Sequence, residues 1–249
     1  MEAERQSPGF IRPDWPAPAN VHALVTTRTG GYSIGPYTSF NLAAHTEDDP
    51  KAVGRNRKLL REYFDLPAEP VWLQQVHSNR IIEADPDIAS VEADASWTST
   101  AARICVVMTA DCLPLLICNR DGSKVAAAHA GWRGLHAGII TNTVSMLQSD
   151  PSELMVWLGP AIGPRAFEVG EEVIQAFIDK NSANAAAFKR TDERHWLCDI
   201  YHLARTELEI LGIAAVSGGD ECTFTNSEYF YSYRRDGVTG RMASLIWIE

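Results

Sequence analysis

A cysteine, a histidine and an arginine stand close together in one stretch of this chain, Met108–Leu135: they are Cys112, His129 and Arg133. Cys112 lies between Asp111 and Leu113-Pro114. Three roles are open to it: a nucleophile activated by a nearby histidine, a thiolate ligand to a metal, or a buried structural cysteine, the commonest fate of a free thiol. Composition by itself favours the last, and Cys105 and Cys118, inside apolar runs, read as such residues. His129 follows an alanine run and precedes the turn Gly131–Gly134, small residues that leave room beside an imidazole. A core histidine competes with that functional reading. His77, flanked by polar Gln75 and Asn79, is a third candidate. The three positions are thirty-five and seventeen residues apart, so no zinc-finger spacing is present. Drawn from three strand ends, they could form a three-ligand site with an open fourth position, the arrangement of catalytic zinc. Spacing permits that assembly without requiring it.

Anion binding has two candidates. The Gly131–Gly134 turn sits between a strand and a helix, so free N–H groups and the helix dipole would favour a phosphate or carboxylate there, with Arg133 as a forked donor. The turn matches neither the Walker nor the Rossmann fingerprint. Arg234-Arg235, just before the last apolar run, reads equally as a solvated basic turn or as a second source of guanidinium.

These residues need a scaffold, and the apolar runs supply one. Val21–Thr27, Val71–Val76, Ala93–Trp97, Ile104–Val107, Leu115–Cys118, Val125–Ala128, Met155–Leu158, Phe167–Val169, Ala214–Ser217 and Met242–Ile248 read as strands, short and bounded by Pro, Gly or polar residues. Pro13–Pro18 reads as an extended lead-in, and the glycine-punctuated loop after Thr27 is long enough to be functional. Asp48-Asp49-Pro50 starts a helix expected to reach about Phe64. Asn56 and Arg57 fall on or beside its apolar face, and the expectation is a partly exposed edge with a snorkelling arginine rather than a pocket. Further helices are expected at about His136–Leu147, around Val173–Ile178 and at about Ile200–Leu211. Strand follows strand between residues 71 and 130, so strict βαβ alternation is absent. The expected class is mixed α and β (α+β): a layered β-sheet sandwich core flanked by helices, in a single domain spanning residues 1–249.

At 249 residues, with 45% apolar and 22% charged residues, the composition is that of an ordinary globular domain. No apolar run approaches the ~20 residues of a membrane helix. The first ten residues lack a basic-then-apolar leader pattern, and five cysteines without regular spacing fit a reducing compartment, so a cytoplasmic location is expected. A net charge of −10 argues against general nucleic-acid binding, while a local arginine cluster could still hold a small anion. A monomer is expected for a domain of this size.

Several segments together carry a resemblance. Gln74–Asn79 (QQVHSN), Thr109–Leu116 (TADCLPLL), Ala127–Leu135 (AAHAGWRGL), Leu158–Gly170 (LGPAIGPRAFEVG) and Tyr231–Ile248 (YSYRRDGVTGRMASLIWI) resemble the bacterial laccase-domain family, and TTRTGGYS at Thr26–Ser33, FNLAAH at Phe40–His45 and Asn56-Arg57 match too. The resemblance covers nearly the whole chain, in order. Members of that family are called purine nucleoside phosphorylases, polyphenol oxidases or peptidoglycan-editing factors. The resemblance implies a zinc site of His77, Cys112 and His129 and a purine nucleoside substrate, cleaved by phosphate or deaminated at the base. It places Asn41 and Arg57 in the substrate pocket and lets Arg133 reach the phosphate. The chain departs from the family at Ala95-Ser96-Trp97-Thr98, where aliphatic residues more often precede the Thr, so Trp97 either alters the pocket wall or only its packing.

Each activity makes its own demands. Deamination needs an activated water, which a three-ligand zinc supplies, and a carboxylate to move the proton, for which Asp111 and Asp94 are candidates. Phosphorolysis of adenosine, inosine or methylthioadenosine needs phosphate held by arginines and backbone donors, such as Arg57, Arg133 and the Gly131–Gly134 turn. A four-copper oxidase needs many histidines, usually as His-x-His pairs, and this chain has seven histidines and no such pair. Copper in a preparation would not by itself mark a copper enzyme, because copper outranks its neighbours in intrinsic affinity. Two other readings remain: a Cys112–His129 hydrolase acting on peptidoglycan precursors, and a metal-binding module without catalysis.

Overall fold

Alternation along three consecutive strands decides the layering. The computed structural model describes residues 7–85, 87 and 91–249; Met1–Gln6, part of the segment read above for a leader, lie outside them. In chain order the elements are β1 (Phe10–Ile11), β2 (Val21–Thr26), α1 (Pro50–Tyr63), β3 (Ile81–Glu83), β4 (Ala95–Thr98), β5 (Ile104–Thr109), β6 (Leu113–Asn119) and β7 (Val125–Ala130). They continue as α2 (Trp132–His136), α3 (Ile139–Leu147), β8 (Leu154–Leu158), β9 (Glu168–Gly170), α4 (Glu171–Lys180), β10 (Phe188–Arg190), β11 (His195–Cys198), α5 (Ile200–Ile210), β12 (Ala215–Gly218), α6 (Tyr233–Asp236) and β13 (Met242–Ile248).

Successive residues of a strand face opposite sides. On β6, Leu113, Leu115 and Ile117 join a core with Ile140 and Val144 of α3 and Leu203 and Leu208 of α5. Leu116 and Cys118 of the same strand face a second core with Val107, Val25 and Ile246. On β5 and β13 the other parity, including Val106 and Leu245, faces a third core with Phe40, Leu42 and Leu60 of α1. The result is four layers: α1 with its loop, a four-stranded sheet, a six-stranded sheet, and the α3–α5 side. The four-stranded sheet runs β1-β2-β13-β5, and the six-stranded sheet β12-β8-β6-β7-β4-β3. Only the outer pairs β12–β8 and β3–β4 of the larger sheet are parallel. A small antiparallel sheet, β10-β11-β9, lies apart. β5, β6 and β7 read as continuous apolar runs because both their faces are covered.

The expected α+β sandwich with outer helices is therefore observed, with corrections to its parts. Val71–Val76 forms no continuous strand: only Val71 and Gln74 make isolated bridges, and Gln75 spends its amide on Met108, donating from Nε2 to the carbonyl at 2.8 Å and accepting from the N–H at 2.8 Å. The helix expected at His136–Leu147 is α3, ending as expected but starting at Ile139, because Gly138, with a left-handed φ of +89°, separates it from the short α2. α1 starts as expected, with Asp49 accepting from Lys51 N. Asn56 on that helix is no exposed edge. It is fully buried, donates to Asn41 O and Ser33 Oγ, and accepts from Tyr32 N, so it stitches three loop segments to the helix. The short strands β1, β3, β10 and β11 and the single turn α6 carry too little pattern to be read from sequence.

Candidate metal centre and its cavity

All three suspected ligands sit where a strand or bridge gives way to a turn. Cys112 lies in the tight turn between β5 and β6, His129 near the end of β7, and His77 in the segment ahead of β3. His77 Nε2, Cys112 Sγ and a ring nitrogen of His129 all lie within 4.8 Å of one another, the one such His/Cys/Asp/Glu group among the described residues. Sγ of Cys112 is 3.7 Å from His77 Nε2. A tetrahedral zinc, with Zn–S about 2.3 Å and Zn–N about 2.1 Å, would separate sulfur and nitrogen by about 3.6 Å. The donor set and its spacing therefore fit such an ion.

Asp94 organises the triad from behind. Its carboxylate is buried and accepts from His129 Nδ1 at 2.8 Å, from Ser78 N and Ser78 Oγ at 2.7 Å each, and from the N–H groups of His77 and Val76. With Nδ1–H of His129 donated to Asp94, Nε2 is the nitrogen that faces the site, and it offers a lone pair to a metal once its proton is given up. This is the carboxylate–histidine support that metal ligands usually have. The same contacts hold His77 at a left-handed φ of +60°. Asp94 thus lies behind the site as a positioning group, and no oxygen of it is left to shuttle protons as the sequence reading allowed.

Electrostatics follow this packing. Burial pushes the Cys112 thiol up, but the charge of His129 and hydrogen bonds to His129 and His77 more than offset it and bring the thiol down to about 6. Burial opposes protonation of His129, and the Cys112 thiolate and Asp94 overcome it, raising the ring to about 9. Burial likewise works against the Asp94 anion, and hydrogen bonds to His129 and Ser78 hold it down at about 2. Cys105 and Cys118 are the structural thiols expected, buried and pushed up to about 12 by desolvation.

Glycines let these groups close up. A Cβ on Gly131 would stand 2.9 Å from Cys112 Sγ and 2.9 Å from His77 Cδ2, and one on Gly134 would stand 3.0 Å from Ser78 O. Steric need therefore accounts for the glycines of the turn that suggested anion binding. The triad opens into a cavity of about 440 Å³, within the ~300–1,000 Å³ of small-molecule sites. Arg133, Arg234 and Arg241 line it, as do the rings of Trp132, Phe167 and Tyr233.

The remaining expectations fare unequally. Arg133 lines the cavity, its guanidinium 4.3 Å over the Trp132 ring. Asp111 lines it at a left-handed φ of +92°, its oxygens taken by Thr223 Oγ1 at 2.6 Å and Arg234 N at 2.7 Å. Asn41 and Arg57, to which the resemblance gave a place in the substrate pocket, are not among the residues that line this cavity. Asn41 is buried, donating to Asp48 and Thr46 and accepting from Arg241 N and Ala43 N. Arg57 donates to Leu42 O at 2.9 Å and lies 3.9 Å over the Trp72 ring. Both brace the loop that carries His45. Arg234 and Arg235 divide the roles left open for them: Arg234 lines the cavity, while Arg235 is tied to the carbonyls of Thr223, Phe224 and Phe230. Trp97 packs beside the helix-side core and is not in the wall. His45 and Arg241 were not singled out from sequence. Their signals were a lone histidine closing the FNLAAH segment and an arginine immediately ahead of β13.

Comparison with known proteins shows the family. The profile of the family described as multi-copper polyphenol oxidoreductase laccase matches residues 22–249. The chain is 52% identical over 240 residues to a protein of Escherichia coli K12 named purine nucleoside phosphorylase YfiH, covering 96% of this chain and 98% of that one. It is also 52% identical, over 241 residues, to the purine nucleoside phosphorylase PA4543 of Pseudomonas aeruginosa, with coverage of 96% and 98%. Among solved structures, protein NMB0706 of Neisseria meningitidis superposes with a TM-score of 0.94 at 48% identity, covering 97% of this chain and 99% of that one. YlmD of Geobacillus stearothermophilus superposes at 0.91 with 29% identity, covering 99% and 98%. The chain belongs to the multi-copper polyphenol oxidoreductase laccase family, in the company of relatives named as purine nucleoside phosphorylases.

Proposed function

We propose that this protein is a zinc-dependent purine nucleoside phosphorylase, cleaving adenosine, inosine or methylthioadenosine to free base and ribose 1-phosphate, with deamination of adenosine at the same site. One observation carries the reading: the His77–Cys112–His129 triad opens into a cavity lined by three arginines and three aromatic rings. Relatives named for that activity support it. A zinc ion bound by the triad supplies Lewis acidity, to polarise an oxygen or acidify a water. Arg133, Arg234 and Arg241 offer forked donors to phosphate. Trp132, Phe167 and Tyr233 offer ring faces to a purine. Asp111, with both oxygens engaged, holds Arg234 and Thr223 in place at the wall. The setting of this reading is a monomer in the cytoplasm that uses no nucleic acid or membrane partner. No helix among the described residues is long and apolar enough to cross a membrane.

The test is incubation of metal-assayed protein with a nucleoside panel, with and without phosphate. Free base and ribose 1-phosphate are expected only with phosphate, and inosine from adenosine without it. No turnover of any nucleoside by fully loaded protein would sink the reading and leave a metal-binding module.

A second reading has its own observation. The lowered Cys112 thiol beside a raised His129 is also a nucleophile–base pair, able to cleave an amide in a peptidoglycan precursor. Turnover by metal-free protein, abolished by stoichiometric alkylation of Cys112, would favour it. Copper-dependent polyphenol oxidation has less support, since one three-ligand cluster among the described residues falls short of a multi-copper centre.

A further inference from the structure

The cavity wall contains many polar groups, and most are already committed. Gln75 spends both ends of its amide on Met108, and Asp111 gives its oxygens to Thr223 and Arg234. His77, Cys112 and His129 are the candidate ligands, and Asp94 stands behind them. Thr109 and Tyr233 contribute hydroxyls, which are hydrogen-bonding groups rather than imidazole-type acid–base groups. The three arginines offer N–H donors and no acceptor. One lining group remains that can both accept and donate a proton near neutral pH: the imidazole of His45.

His45 has the placement this requires. It is exposed to the cavity and, among the described residues, its ring makes no hydrogen bond or ion pair. The loop beneath it is held firmly: Asn41 is anchored to Asp48, Thr46 and Arg241 N, and Arg57 grips Leu42 O. Burial first, then the charges of Arg241 from the start of β13, Arg57 from α1 and His129 from β7, act against a proton on the ring. The neutral ring, without a hydrogen-bond partner among the described residues, therefore keeps a lone pair available at the cavity it lines.

We infer that His45 is the proton-transfer group of this site. The inference rests on the nucleoside reading above. In phosphorolysis, His45 takes the proton of monohydrogen phosphate as a phosphate oxygen bonds to C1′ of the ribose. The C1′–N9 bond breaks with its electron pair going to the purine, and His45 returns the same proton to a purine nitrogen. The products are neutral base and ribose 1-phosphate, and no oxidant or further reactant is consumed. In deamination, His45 takes a proton from water as its oxygen bonds to C6, and hands it to the departing amine, which leaves as ammonia while the second water proton completes the 6-oxo base.

The experiment compares the wild type with His45→Gln and His45→Gly, all loaded with zinc, using inosine plus phosphate. General acid–base assistance contributes about 10²–10⁴-fold, so kcat is expected to fall by that factor while zinc content stays stoichiometric and KM moves by less than about threefold. The acid limb of the wild-type kcat profile, set by protonation of His45, should vanish in His45→Gln, and added imidazole should restore part of the His45→Gly rate. A variant within about threefold of wild-type kcat, or one that keeps the acid limb, would overturn the role of His45 while leaving the nucleoside reading intact. A zinc-loaded wild type without nucleoside turnover would overturn both.

Discussion

Two cysteine environments, one strand apart, make the useful contrast. Cys118 sits within β6 and Cys105 within β5, both sealed between sheets and pushed up to about 12. Cys112 lies in the turn joining those same strands, and its thiol comes down to about 6. Burial acts in the same direction on all three. What differs is the company: uncharged, mostly apolar side chains around the first two, with Ser96 beside Cys105, and the rings of His77 and His129 beside the third. Mid-strand positions in a covered sheet admit no counter-charge, whereas strand ends are where loops from elsewhere can bring one.

The largest effect should come from removing a member of the triad. Cys112→Ala or His77→Ala should lose bound zinc, read by metal analysis. Activity should fall on the order of 10³-fold or more, because a Lewis-acidic ion is worth several kcal/mol and each ~1.4 kcal/mol is tenfold. Circular dichroism should remain that of the wild type, since three separate segments of the fold, the β5–β6 turn, the end of β7 and the Asp94-bound loop of His77, hold the site rather than the ion. Unfolding of either variant under native conditions would show the ion to be structural.

The thiol contrast can be tested directly by alkylation of metal-free protein followed by peptide mapping. Thiolate is the reactive form, so modification of Cys112 should rise with pH through about 6, and between about 6 and 9 the thiolate should persist beside a protonated His129. At pH 7, Cys112 should outpace Cys118 by on the order of 10²-fold or more, even after the lower intrinsic nucleophilicity of a low-pKa thiol is allowed for. Equal labelling of the two would collapse the contrast.

A smaller effect is expected one layer back. Asp94→Asn should weaken zinc by about 10–100-fold, the usual loss for a carboxylate that orients a histidine ligand. Asp94 is held at about 2 against an ordinary 3.8, a depressed carboxyl. Its stabilisation is therefore present above pH ~4 and lost as pH falls from there through about 2, and it amounts to about 2 kcal/mol. Urea titrations of wild type and Asp94→Asn should differ by about that much at pH 7 and converge near pH 2. A constant difference across that range would remove the carboxylate's charge from the account.

The strands that were legible in the sequence are those whose side chains settle the issue alone. β13 was read with its observed limits, and β6 and β7 within two residues, because both faces of each are covered and the apolar run is unbroken. α1 was legible from its Asp49 cap and Pro50. Val71–Val76 misled because its pattern is apolar while its hydrogen bonds go to a side-chain amide instead of a ladder. The helix break at Gly138 has no signature beyond a single glycine.

Within the candidate site, residue types and strand ends nominated Cys112, His129, His77 and Arg133, and the resemblance joined the first three into one metal site. Residue chemistry and alternation, both local properties, also determined the mixed class, the layered sheets and the inert thiols. What only the tertiary structure decided is which groups meet. It moved Asn41 and Arg57 out of the cavity and into its supports, turned Asp94 from a proton carrier into the anchor of His129, and brought His45 and Arg241 to the wall. Those outcomes depend on contacts between residues from fifteen to two hundred positions apart, as in the bonds Arg57–Leu42, Asp94–His129 and Asn41–Arg241. No local pattern records such a contact, because its energy is realised only when the sheets have stacked.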